Sequence, residues 1–510
     1  MVFASILFLT LFFPIVLTAY HVLFLPVTLG VRPRLFRRLC NLFMLAVSLL
    51  FYFWGEQSLV WIIIASTVID YAAGLLISGG LLQRRCPKLE RGGPRRPVQK
   101  LGLILSLCSN LAFLGYFKYF TFAVINYNAA ADAVGLSAAA WQSFTYVYLP
   151  LGISFYTFQS MSYTIDVYRG DVRATRNLID FACYVTMFPQ LVAGPIVRYR
   201  DIATQLVQRT VSRSTFVEGI SRFILGLAKK VLVANTVAVL ADAVFGMATG
   251  DLTTGLAWLG VLAYSLQIYF DFSAYSDMAI GMGKMLGFRF PENFNYPYVA
   301  RSMRDFWRRW HISLSTWFRD YLYIPLGGSR HGAHRTYMNL VVVFVLVGFW
   351  HGASWTFIVW GLYHGAFLVL ERVGLSAIIK PRRVLSHVYT VAVFVGGWVL
   401  FRADTFGQAM AMFKAMAGFA EGAGVVHSVV RYVHADTIIA MTAGAVFSMP
   451  ILPWLTRWWR ERLARRTGPA RVALELCSAG VFAATLGVLG LWSVAALAGG
   501  TYNPFIYFRF

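Results

Sequence analysis

Apolar runs long enough to cross a lipid bilayer recur from one end of this chain to the other. A crossing helix needs about 20 mostly apolar residues, and such runs lie near 3–25, 39–54, 57–78, 101–122, 146–167, 216–246, 253–283, 338–371, 387–402, 437–455 and 473–497. The run at 338–371 is long enough for one crossing and part of another. Only 13% of the 510 residues are charged and 58% are hydrophobic, against roughly 25% charged in soluble globular chains. A deficit spread along the whole chain means that many faces see lipid. The expectation is an all-α, polytopic membrane protein of about 11 transmembrane helices, forming one integral-membrane domain over 1–510.

The net charge of +23 would suggest nucleic acid in a soluble protein. Here Lys and Arg gather in short connections between apolar runs, where cytoplasmic loops collect them and anionic lipid attracts them. The charge therefore reports orientation in a bilayer, and nucleic acid is not expected as a partner. Clusters at 32–38, 84–100 and 169–176 fall on one side if each early run crosses once, and 123–145, without Lys or Arg, falls on the other. The segments 380–383 and 457–471 are basic, whereas 403–436 holds few cations. The first 31 residues hold no Lys or Arg, so they lack the charged start of a signal peptide and should remain as a first crossing helix. Both termini are then expected outside the cytoplasm. Five cysteines without metal spacing argue against a disulfide framework and a zinc site. No metal and no bound cofactor are expected.

One apolar segment breaks the alternation. "FACYVTMFPQLVAGP" (181–195) has basic sequence on both flanks and carries Pro189, Gly194 and Pro195. Such irregular backbone survives at membrane depth only where protein or a water-filled cavity surrounds it. A re-entrant hairpin is expected; a kinked full crossing would invert everything after it.

The longest polar stretch, 284–337, reads as a cytoplasmic interfacial segment. Within it, over 300–328, Met303, Phe306, Trp307, Trp310, Leu314, Trp317, Phe318 and Tyr321 recur at three- and four-residue spacing, which predicts one amphipathic helix lying at the interface. His311 falls at the edge of this stripe, and a histidine hydrogen-bonded to backbone is one reading of it. Arg301, Arg304, Arg308 and Arg309 suit either an anionic-lipid patch or a polyphosphate site, since guanidinium pairs bidentately with phosphate oxygens.

"GFWHGA" places His351 inside the 338–371 run. A helix starting near Leu340 carries it about 16 Å along, near the middle of the hydrocarbon. Ionisable groups at that depth are costly and usually face a cavity or functional path. A desolvated imidazole is suited to general-base chemistry near neutral pH; a packed core histidine is the alternative. Gly348, Gly352 and Ala353 are expected, with 181–195, to wall a tunnel beside it. His364, 13 residues on, lies nearly on the opposite helix face and reads as structural. "YFDFSAYSDMAIG" (269–281) sets Asp271 and Asp277 in apolar surroundings, where buried carboxylates need partners; they and Trp350 are candidates for lining or supporting a site. Walker A, GxSxG, HExxH and QxxRW patterns are absent, which weakens ATPase, serine hydrolase, zinc protease and processive glycosyltransferase readings.

With these residues in view the chain resembles the membrane-bound O-acyltransferase superfamily, in its bacterial alginate O-acetyltransferase form. The likeness runs over nearly the whole chain: the opening "MVFASILFLTLFFPIVLTAYH", "LPLGISFYTFQSMSYTIDVYRG" (149–170), "FPQLVAGPIVRYRD" (188–201), "YFDFSAYSDMAIG", "FWRRWHISLSTWFRDYLYIPLGG" (306–328), "GFWHGA" and "YNPFIYFRF" (502–510). It implies a ring of tilted helices around a central tunnel, His351 as the catalytic histidine and His311 as the second characteristic polar position. It further implies acetyl-CoA as cytoplasmic donor, a periplasmic or membrane-anchored transfer protein as partner, an exopolysaccharide such as alginate or cellulose as final acceptor, and a bacterial inner-membrane location. A transporter or channel with a proton-relay histidine is the competing class.

Overall fold

The computed structural model describes residues 3–80, 86–136, 141, 146–192, 194–420, 422, 428–500 and 502–504. The basic positions Arg84 and Arg85, part of the 123–145 connection and the last six residues of "YNPFIYFRF" lie outside them. The described residues are helical with no β-strand among them. Eight helices are long and apolar enough to cross a membrane, and nine if the bent pair Ala435–Phe447 and Ile451–Ala464 counts as one.

The sequence runs map onto this count with identifiable differences. Pro33–Ser78 counts once, but the chain turns at Gln57 (φ 48°, ψ −120°) between Pro33–Glu56 and Val60–Ser78. Those two arms are the expected runs 39–54 and 57–78, and each is long enough to cross. The 338–371 run divides at Gly352–Ser354 into Gly332–His351 and Trp355–Leu370, the second capped by the Ser354 hydroxyl on the Thr356 N–H. Two expected runs, 146–167 and 253–283, become the helices Ile153–Arg169 and Thr254–Met285. Neither is among the eight, and both are largely buried inside the protein. Every residue of Tyr269–Gly283 is buried.

Burial on all sides explains how these two helices organise the fold. Phe155, Phe158 and Met161 face one hydrophobic core, while Ile153, Tyr156, Tyr163 and Val167 of the same helix face another. Thr254–Met285 likewise gives Val261, Tyr264 and Ile268 to the first core and Tyr275, Met278 and Met282 to the second. The first core is closed by residues from 300–321 and from 343–415, the second by the N-terminal helices and 181–206.

Buried carboxylates on Thr254–Met285 are paired, as low-dielectric surroundings require. Lys230 meets Asp271 at 2.8 Å, both only 1% exposed, and Lys230 also donates to the Pro504 carbonyl. Asp277 receives Lys229 at 2.6 Å and Arg222 at 2.8 Å. The described end of the chain is tied in as well: Asn503 donates to Ala4 O and Tyr502 to Asp242.

The 181–195 segment is buried and broken. Leu178–Thr186 ends at Met187 (ψ 111°), and the single turn Phe188–Leu191 follows. That interruption, packed against the N-terminal and central helices, is the irregular backbone that Pro189 and Gly194 led one to expect. The expected single amphipathic helix over 300–328 is not formed. Met303–Arg309 and Ile312–Phe318 are separate, because Trp310 is extended and His311 takes a left-handed conformation, φ 44°. All eight stripe residues are nevertheless buried, with Arg301, Arg304 and Arg308 exposed. The periodicity was right about the buried face, and the break turns that face inward.

Candidate functional site

A left-handed backbone is uncommon for a residue other than glycine and costs on the order of 1 kcal/mol or more. At His311 it aims the side chain into the protein, where it is 1% exposed. The ring sits edge-on to Phe272 at 4.6 Å and 6.1 Å from the Trp350 ring. Neither ring nitrogen has a hydrogen-bond partner among the described residues, so the backbone-bonded alternative is not realised. Burial pushes this imidazole down to about 3, which leaves it neutral at physiological pH.

His351 also meets Trp350, ring to ring at 4.9 Å, and meets Trp360 and Phe401 edge-on at 5.2 Å each. The two histidines therefore share one indole although 40 residues separate them in sequence. The Trp350 N–H donates to Ser154 O at 3.3 Å, which fixes the shared ring.

His351 is not at the centre of its helix. Gly332–His351 begins at Gly332 rather than near Leu340, and His351 is its last residue. The polar first turns, with His334 and Arg335, are helical too, which an apolar-run boundary does not register. His351 thus stands at the far end of a 20-residue helix, about 30 Å in length.

A cavity of about 210 Å³ reaches His351 from that end. Glu56, Lys118, Tyr148, Ser154, Val192 and Trp350 are among its lining residues, and Tyr148 at its edge is exposed. The helix Ile153–Arg169 starts at this cavity and finishes at an arginine cluster, about 25 Å away for 17 residues. There Asp320 is held by Arg198 at 2.9 Å, Arg200 at 2.8 Å and Arg319 at 2.8 Å, and Arg169 donates to its carbonyl. Burial pushes the Asp320 carboxyl up, but Arg319, Arg200 and Arg198 outweigh it and hold the group below its ordinary range. The cavity and this cationic cluster thus lie at opposite ends of Ile153–Arg169.

Other sequence candidates fall elsewhere. Trp350 lines the cavity, whereas Asp271 and Asp277 do not; they serve the ion pairs described above, a supporting role, with Phe272 between them packing on His311. Arg301, Arg304 and Arg308 are exposed, and Arg309 pairs with Asp305 at 3.0 Å. The helix Met303–Arg309, which bears Arg304, Arg308 and Arg309, is anchored by Glu371, which accepts from the Met303 and Arg304 N–H groups. Gly348 and Gly352 do not line this cavity. A Cβ at Gly348 would run into the Phe357 carbonyl and one at Gly352 into the Phe357 ring, so these glycines permit close packing of the two helices. Of the 181–195 segment, Val192 lines the cavity. His364 is packed between Trp307 at 5.1 Å and Trp360 at 4.9 Å, outside the cavity lining.

Lys118 and Glu56 were not singled out from the sequence. The signal was present for Lys118, the one charged residue between Lys100 and Asp132, since an ionisable group inside a crossing helix is by default a functional candidate. Glu56, at a junction between two runs, carried no such signal. No group of three or more His, Cys, Asp or Glu side chains suited to a metal ion occurs among the described residues.

Known proteins similar to this chain fall in one family. The family model for MBOAT, the membrane-bound O-acyltransferase family, matches residues 171–396, which include His311, His351 and His364. A probable alginate O-acetylase of Azotobacter vinelandii is 46% identical over 422 residues, 82% of this chain and 79% of the relative. One from Pseudomonas putida is 41% identical over 527 residues, covering both chains fully. A peptidoglycan O-acetyltransferase of Helicobacter pylori is 36% identical over 413 residues, 74% of each chain.

Proposed function

Because this chain belongs to the membrane-bound O-acyltransferase family, and is therefore a multi-pass O-acyltransferase, we propose that it moves acetyl groups from cytoplasmic acetyl-CoA across the inner membrane for O-acetylation of a secreted polysaccharide. Family membership selects the enzyme over a transporter or channel. The observation that carries the reading is that His351 and Trp350 line the cavity and that the same Trp350 ring also meets His311. That arrangement supplies a general base with a second neutral imidazole beside it.

In the proposed step His351 takes the proton of an acceptor hydroxyl, and the oxygen attacks the acetyl thioester carbonyl. The C–S bond then breaks, and the thiolate leaves with the proton returned by the imidazolium. His311, neutral and without a hydrogen-bond partner among the described residues, is suited to orient the donor or share that proton. A positioned base of this kind is worth about 10²- to 10⁴-fold in rate. Arg301, Arg304, Arg308 and Arg309 bind donor phosphates on the cytoplasmic face. The acceptor enters through the cavity on the opposite face, delivered by a periplasmic or membrane-anchored transfer protein, with both chain termini on that side. Alginate is the polymer suggested by the relatives' names, and cellulose is a further candidate. Purified protein incubated with radiolabelled acetyl-CoA tests the reading. Labelled product or hydrolysis that depends on His351 is expected, and its absence with and without partner proteins would overturn it.

A further inference from the structure

The helix carrying His351 ends at that residue, and the last carbonyls of any α-helix have no partner within it. Here three consecutive ones are claimed from outside. The Tyr119 hydroxyl donates to Phe349 O at 2.8 Å, and the Lys118 ammonium donates to Trp350 O at 2.5 Å and His351 O at 3.1 Å. The Tyr119 ring also stacks flat on Phe349 at 4.0 Å. Both donors come from the π-helical turn Gly115–Tyr119, a widened turn that interrupts an otherwise α-helical stretch and is frequent at functional sites.

Lys118 is buried, and its named partners are neutral oxygens: the two carbonyls and Ser154 Oγ at 3.3 Å. No carboxylate pairs with it among the described residues. Burying a lone ammonium costs several kcal/mol, and a tyrosine or asparagine would bind the same carbonyls without that cost. The charge has a use at this place. A helix C-terminus carries about half a negative charge, the wrong sign beside a thioester carbonyl whose oxygen becomes negative during transfer. A cation on the terminal carbonyls reverses that sign, and Lys118 lines the same cavity as His351.

We propose that Lys118 is a positioning residue for acyl transfer: it locks the helix end that bears His351 and cancels the adverse field of that helix end at the reacting carbonyl. The proposal rests on the catalytic reading of His351. Lys118→Met keeps the length and apolar stem and removes the charge. It is expected to lower kcat about tenfold or more with the KM for acetyl-CoA changed by less than about twofold, since positioning and field act on the reacting geometry rather than on remote donor contacts. Lys118→Arg should recover most of the loss, and ethylammonium should restore part of the activity of Lys118→Ala. Tyr119→Phe, which keeps the ring stack and removes one donor, should lower kcat by a smaller factor and serves if Lys118→Met does not accumulate in membranes. Native kcat in these variants, or a loss that neither Arg nor ethylammonium repairs, would overturn the proposal. Failure of the underlying reading is distinguishable: His351→Ala would then retain transfer, whereas an inactive His351→Ala beside a native Lys118→Met removes only the role of Lys118.

Discussion

The His351 imidazole meets the Trp360 indole edge to face at 5.2 Å. The same indole meets His364 at 4.9 Å, so one tryptophan separates a histidine at the cavity from one packed away from it. The two should behave differently on truncation. His351→Ala removes the proposed base and is expected to lower transfer by about 10²-fold or more while the protein stays folded in membranes. His364→Ala should keep activity within about tenfold of native, its cost falling on packing instead. Acetyl transfer by both purified variants checks this, and equal losses would undo the assignment of His351.

His311 gives a pH prediction of definite sign. Its ordinary pKa is 6.5, and burial pushes it down to about 3. Between those values the unfolded chain binds a proton that the folded protein refuses, so stability rises with pH. The full contribution is present above about 6.5, and about 1.4 kcal/mol is lost per pH unit as pH falls toward 3. His311→Asn removes this titration. Its thermal midpoint should fall less than that of the native protein between pH 6.5 and 4.5; parallel curves for the two proteins would contradict it.

What was legible in the sequence were the faces, and what was not were the breaks. Met303, Phe306, Trp307 and Trp310 announced a buried stripe by spacing alone, and all are buried. That the helix should break at His311 while the buried stripe continued was invisible, because a left-handed residue there is imposed by tertiary packing. The position of His351 along its helix was misjudged for a related reason. Hydropathy marks where apolar residues begin, whereas the helix runs back through polar turns to Gly332. The pairing of His351 with His311 rests on Trp350, and contacts between segments 40 residues apart leave no periodic trace. Lys118 was legible as a charge in an apolar run, but not its grip on the end of another helix.

The exposed arginines of Met303–Arg309 supply a kinetic prediction. Charge reversal by Arg304→Glu with Arg308→Glu should raise the KM for acetyl-CoA by about tenfold or more while kcat changes little, the pattern expected when ground-state and transition-state binding are lost together. Arg309 is a less informative target because Asp305 already holds it at 3.0 Å. Unchanged KM would return these residues to an anionic-lipid role.

The Lys230–Asp271 pair should behave as a buried ion pair rather than a proton carrier. Lys230→Met alone strands a carboxylate and is expected to destabilise by about 3–5 kcal/mol. The double variant Lys230→Met with Asp271→Leu replaces both charges by apolar groups and should recover much of that loss. Thermal unfolding of the detergent-solubilised proteins gives the comparison, and a double variant as unstable as the single one would show that other contacts of Asp271 dominate.

The cavity itself fixes a prediction of sidedness. Its walls come from residues 148–155, Glu56, Lys118, Val192, Trp350 and His351, and it lies at the end of Ile153–Arg169 opposite Asp320 and its arginines. In a background with Cys40, Cys86, Cys108, Cys183 and Cys477 replaced, Ser154→Cys puts a thiol of nearly native size on the wall. It should react with a small hydrophilic thiol reagent applied from the periplasmic side, and more slowly from the cytoplasmic side of inverted vesicles. Gly352→Cys is not an equivalent control, because a side chain there collides with Phe357. His364→Cys is the better one, being buried beyond Trp360, and should stay unreactive from the periplasmic side. Reaction of Ser154→Cys from the cytoplasmic side alone would invert the proposed direction of transfer. Protection from both sides in an active protein would close the acceptor route and leave His351 a packed core residue.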